Sequence, residues 1–95
     1  MNILQAVVRT LRQPDGSYQL PLGNRIVHRP CIASGDQWWT VCCTADGIEY
    51  WLTRSLTWEC PQTWPNYLWG SDFGFATPEE AYFAWLQWLD GVEEG

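Results

Sequence analysis

The chain has 95 residues and a formal net charge of −6, from five arginines, no lysine and eleven aspartates and glutamates, with eight tryptophans, four tyrosines and three phenylalanines. A chain this short buries only about 60 to 65% of the surface its unfolded form exposes, so aromatics, at about 150 to 250 Å² each, carry much of the core, and residues 1–95 are expected to form a single compact domain. Without a basic run or a basic helix face, direct binding to nucleic acid or to an anionic membrane is disfavoured, because both draw affinity from cations on phosphates; a neutral or basic partner suits the charge.

Segment 3–12, I-L-Q-A-V-V-R-T-L-R, fits a helical stripe through Ile3, Leu4, Val7, Val8 and Leu11, and its β-branched centre also fits a strand. The P-D-G turn at 14–16 and the alternation of S-Y-Q-L-P-L after it favour two antiparallel strands. Gly23-Asn24 then leads into R-I-V-H at 25–28, a third strand.

Residues 38–53, W-W-T-V-C-C-T-A-D-G-I-E-Y-W-L-T, read as a hairpin turning at Asp46-Gly47. A two-residue turn sets Ala45 opposite Ile48, Cys43 opposite Tyr50 and Val41 opposite Leu52, with Trp39 on the same, core-facing side. The other face carries Trp38, Thr40, Cys42, Thr44, Glu49, Trp51 and Thr53.

Residues 76–91 predict a helix with Thr77 as N-cap, Pro78 at N1, Glu80 completing a capping box and Gly91 as the C-terminal stop. Ala81, Tyr82, Ala84, Trp85, Leu86, Trp88 and Leu89 span roughly 200° of its circumference, wider than one sheet face covers. Phe83 interrupts the polar arc of Glu79, Glu80, Gln87 and Asp90. Between hairpin and helix, residues 54–76 form a long Trp- and Pro-rich connection, with S-D-F-G-F-A a candidate edge strand. The expected architecture is α+β, a small antiparallel sheet of about four to five strands in hairpins packed against one C-terminal helix.

The start, M-N-I-L-Q-A-V-V-R-T, has neither a basic n-region nor a sustained apolar h-region, and no run approaches the roughly 18 apolar residues of a membrane span. A cytoplasmic location is expected, with Cys31, Cys42, Cys43 and Cys60 as reduced thiols. The only close pairing of metal-ligand types is His28-x-x-Cys31, which is not a zinc spacing. No nucleophile elbow or phosphate loop occurs, and Glu79 and Glu80 are explained by the helix dipole, so no catalytic residue, metal or cofactor is expected.

The remaining signal is aromatic surface. Pro61 and Pro65 favour extended or turn conformations around Trp58, Trp64, Tyr67 and Trp69, and a pre-ordered loop presents flat anchors at low entropic cost. Trp64 and Trp69 are expected to point outward, and Trp58 into the core. The partner-binding set is Trp64, Tyr67, Trp69, Phe83, Trp38 and Trp51, with Glu79, Glu80 and Asp90 steering a basic partner. An acidic chain of this length, with hairpins such as T-A-D-G-I and a terminal helix opening F-A-T-P-E-E-A, resembles small phage and mobile-element proteins, anti-CRISPR inhibitors among them. That resemblance lies in the general build of the chain. It implies a stoichiometric inhibitor that occupies a protein surface, often a basic one that binds nucleic acid. Two other readings compete: a carbohydrate-binding module stacking sugars on Trp with Gln62, Asn66 and Asp72 nearby, and a self-associating subunit of a larger assembly.

Overall fold

The computed structural model describes residues 2–30, 37–60 and 74–94. Asn2 opens its first element. The Asn2 side chain accepts the Gln5 N–H at 2.8 Å and the Gln5 side chain accepts the Asn2 N–H at 3.0 Å, a reciprocal cap that starts α1 (Ile3–Thr10). Residues 3–10 are therefore a helix and not the first strand of a hairpin. The helical stripe prevails because the cap satisfies the first amides and the stripe buries Val8, 1% exposed.

The P-D-G turn exists, but it joins the helix end to a strand. Gly16 takes φ 89°, the Gln13 N–H donates to the Ser17 carbonyl at 2.7 Å, and the Asp15 carboxylate accepts both the Ser17 N–H and its hydroxyl. Five strands follow: β1 (Tyr18–Gln19), β2 (Arg25–Pro30), β3 (Gln37–Ala45), β4 (Ile48–Leu52) and β5 (Trp58–Glu59). They form one antiparallel sheet in the order β1-β2-β3-β4-β5, so every strand lies beside its sequence neighbour. The expected α+β architecture holds, with α1 added to it.

Turn chemistry fixes the register. Asp46 (φ 53°) and Gly47 (φ 78°) both adopt the left-handed conformation that a type I′ hairpin demands, and Ala45 faces Ile48 and Cys43 faces Tyr50 as the spacing predicts. Residues expected to lie in a long connection turn back at once: the Thr53 N–H donates to the Thr57 carbonyl at 2.9 Å, and β5 then pairs with β4. Of the candidate edge strand at 71–76, residues 71–73 lie outside the described residues, and the described part forms a bridge. Phe75 exchanges two backbone hydrogen bonds of 2.8 Å with Trp39, at a level of β3 that lies beyond its pairing with β4.

The second helix, α2 (Pro78–Glu94), starts where expected, with the Thr77 hydroxyl accepting the Glu80 N–H at 3.2 Å. The Glu80 carboxylate reaches Ala76 N–H instead of Thr77 N–H. Gly91 does not stop the helix, because a glycine inside a helix costs only about 1 kcal/mol.

Leu20, Ile26, Val41, Leu52 and Phe75 meet Ala81, Ala84 and Trp85 of α2 to form the core. The wide apolar arc of α2 finds cover from α1 as well as from the sheet. The expected division of the hairpin into core and solvent faces holds for Val41, Leu52, the core-packed Trp39 and the exposed Thr44, but fails at five other positions, Ala45, Ile48, Thr40, Cys42 and Thr53. Ala45 and Ile48 are exposed because they sit at the hairpin tip, and Thr40, Cys42 and Thr53 are buried although assigned to the polar side. Thr40 and Cys42 lie in register among the larger Trp38, Trp51 and Arg29 at the centre of the sheet, where position along the strand outweighs face.

Candidate functional site

One groove of about 450 Å³ runs between the start of α1, the first half of α2 and the β4–β5 turn. Leu4, Leu56, Phe75, Phe83 and Ala84 give it an apolar floor, and Glu79, Glu80 and Gln87 line it as well. Each wall has a local cause. Leu56 is placed by a tight turn that holds it at φ 62°, its N–H donating to the Thr53 carbonyl at 3.0 Å. Arg54 also lines the groove, with its Nε–H donating to the Gly74 carbonyl at 2.7 Å. Phe83 is 52% exposed, a large apolar surface for one side chain on a polar arc.

The sequence-predicted binding residues do not all converge. Phe83, Glu79 and Glu80 share this groove, and Asp90 stands exposed two turns on, beside a second hollow lined by Leu86, Gln87 and Leu89. Trp38 and Trp51 are half-buried on the sheet face away from α2, where the Trp51 indole N–H donates to Glu49 at 3.0 Å and Glu49 pairs with Arg29 at 3.4 Å. They therefore belong to a different surface. Trp64, Tyr67 and Trp69, like Gln62, Asn66 and Asp72, lie outside the described residues. Trp58, expected in the core, is half-buried against it, edge-on to Trp88 with ring centres 5.2 Å apart.

A second cleft, of about 470 Å³, follows the outer edge of β2, which β1 pairs only at Arg25 and Ile26. Arg12, Arg25 and Arg29 line it together with His28, whose ring stacks on Trp39 at 4.2 Å and 7°. Asp15 is the single carboxylate among its lining residues. The two hydrogen bonds from Ser17, helped by the Arg25 charge, hold its pKa below the usual carboxylate value.

Cys42 and Cys43 point to opposite faces, and burial pushes both thiols up, Cys42 further assisted by the charge of Glu49, so they remain protonated. Among the described residues no group of three or more His, Cys, Asp or Glu side chains is arranged to hold a metal ion. No described helix is long and apolar enough to cross a membrane.

No family model, curated protein or solved structure matches this chain. Leu4 and Leu56 escaped the sequence reading because α1 read as a strand and the turn at 53–57 carries no glycine, although N-I-L-Q at 2–5 held the spacing of a capping box. The arginine cleft had no local signal. Arg12 and Arg25 meet only because the turn at 14–16 reverses the chain and β1 pairs with β2.

Proposed function

We propose that this protein is a non-catalytic binding module, an inhibitor or adaptor that acts stoichiometrically by occupying a neutral or basic protein surface. The observation that carries this reading is the exposure of Phe83 over an apolar groove bordered by Glu79 and Glu80. An apolar anchor in a concave site supplies contact energy, and carboxylates around it favour partners bearing Lys or Arg while repelling acidic ones. The net charge of −6 adds long-range attraction to the same kind of partner. A basic segment with one protruding apolar side chain fits the groove best, its side chain against Phe83 and Leu56 and its cations against the glutamates.

The test compares three baits in a pull-down from cell extract read by mass spectrometry: the wild-type chain, Phe83→Ala, and the double variant Glu79→Lys with Glu80→Lys. Both variants are expected to keep the wild-type circular dichroism and to lose the same protein, with Phe83→Ala weakening that complex by about 2 kcal/mol, roughly 30-fold. Equal capture by all three baits overturns the reading. Light scattering over a concentration series addresses the competing case: self-association abolished by Phe83→Ala would make the groove a contact between copies of the chain.

A further inference from the structure

We propose that the cleft along β2 is a binding site for a small phosphate-bearing molecule. Three of the five arginines of an acidic chain line this one cleft. Asp15 is the one carboxylate among the lining residues and Glu49 beside the cleft pairs with Arg29, so Arg12 and Arg25 facing Asp15 leave the cleft a net positive charge. A phosphate monoester carries about −1.5 to −2 at neutral pH, enough to engage both Arg12 and Arg25. Its oxygens also suit guanidinium forks, which present paired N–H donors in one plane.

The arginines come from two segments of the chain, the end of α1 and strand β2. Arg12 follows α1 and bridges to Tyr18, Arg25 begins β2, and Arg29 lies near its far end, sharing a nitrogen with Glu49 outside the cleft. Among the described residues the guanidinium groups of Arg12 and Arg25 form no ion pair, since the pairing there is Arg29 with Glu49. His28 contributes a ring N–H in any protonation state, and its exposed ring is held flat against Trp39. The volume suits a small molecule and exceeds what an inorganic ion needs. The overall negative charge disfavours an extended polyanion such as nucleic acid, whose many phosphates would meet the rest of the surface, but charge beyond about 8 Å is screened at physiological salt, so a compact anion feels mainly the arginines.

This site shares no lining residue with the Phe83 groove, so it stands or falls apart from the proposed partner surface. Titration calorimetry with inorganic phosphate, pyrophosphate, adenosine monophosphate and adenosine as separate probes tests it. The expected result is binding of adenosine monophosphate or pyrophosphate, weaker binding of inorganic phosphate, none of adenosine, and a loss of about tenfold or more in Arg12→Gln and in Arg25→Gln. Arg9→Gln, outside the cleft, should bind as the wild type does. Unchanged thermal stability of the Gln variants separates lost binding from lost fold. The proposal is overturned if none of the phosphate probes binds at concentrations up to about 10 mM, if adenosine binds as well as its monophosphate, or if the Gln variants retain full affinity.

Discussion

His28 and Trp39, directly opposite each other on β2 and β3, hold their rings 4.2 Å apart and within 7° of parallel. Tyr18 meets the same indole edge-on at 5.6 Å, so an exposed histidine is tied through Trp39 to the packed interior. Cross-strand aromatic contacts of this kind contribute about 0.5 to 1.5 kcal/mol beyond the area they bury. Urea unfolding of His28→Ala, Trp39→Leu and the double variant should give a coupling energy in that range. A coupling of zero would show that the stack is a passive consequence of register.

Leu22 sits at φ 65° in the turn between β1 and β2, 73% exposed, followed by Gly23 at φ 75°. A leucine there pays for the left-handed conformation with about 1 to 2 kcal/mol of strain and gains little burial in return. Leu22→Asn creates the favoured Asn-Gly pair and should raise stability by about 0.5 to 1 kcal/mol, seen as a higher melting temperature. Leu22→Val, β-branched and less tolerant of positive φ, should lower it.

Leu52 and Ile48 occupy the two ends of β4 in very different surroundings. Leu52 is fully buried against the core while Ile48 is 41% exposed at the hairpin tip. Leu52→Ala should cost about 2 to 5 kcal/mol and Ile48→Ala no more than about 1 kcal/mol by chemical denaturation. Similar losses at both positions would mean that the tip is covered in solution.

Burial holds the Cys42 thiol protonated, with its pKa raised above the ordinary 9.0. A pKa raised in the folded state gives stability that is complete below 9.0 and is lost as pH rises through the native value. The stability difference between the wild type and Cys42→Ala should therefore shift against the wild type as pH rises above 9.0. In a thiol-reagent assay on the native protein, the rapid phase should be unchanged by Cys42→Ala, and Cys42 should react only as the chain unfolds.

Local rules made part of this fold legible. Asp46-Gly47 announced a turn that the structure closes with both residues at positive φ, and T-P-E-E announced a helix that Thr77 and Glu80 cap. At 3–10 the apolar spacing served two periodicities equally well, and the deciding hydrogen bonds, between Asn2 and Gln5, lay at the margin of the segment. The burial of Thr40 and Cys42 was hidden for another reason: alternation tells which face a residue is on, but not how far along the strand its neighbours reach over it. Of the candidate surface, Phe83 and the two glutamates stood out as a break in one helical pattern, whereas Leu4, Leu56 and the three cleft arginines become neighbours only through tertiary structure.

The two backbone hydrogen bonds between Phe75 and Trp39 have a kinetic consequence. Among the described residues every other strand contact in the sheet joins neighbours in sequence, so the meander can assemble hairpin by hairpin through short loop closures that form on the microsecond scale. Phe75 is the exception, returning after β4 and β5 in sequence to pair with Trp39 near the start of β3, beyond the reach of β4, and carrying the start of α2 with it. That closure bears the largest entropic cost in the sheet and is repaid only when Trp85 and its neighbours seat on Ile26, Val41 and Leu52. The order of events that follows is a sheet nucleated at its turns and a helix docked last, with Phe75 as the latch between them.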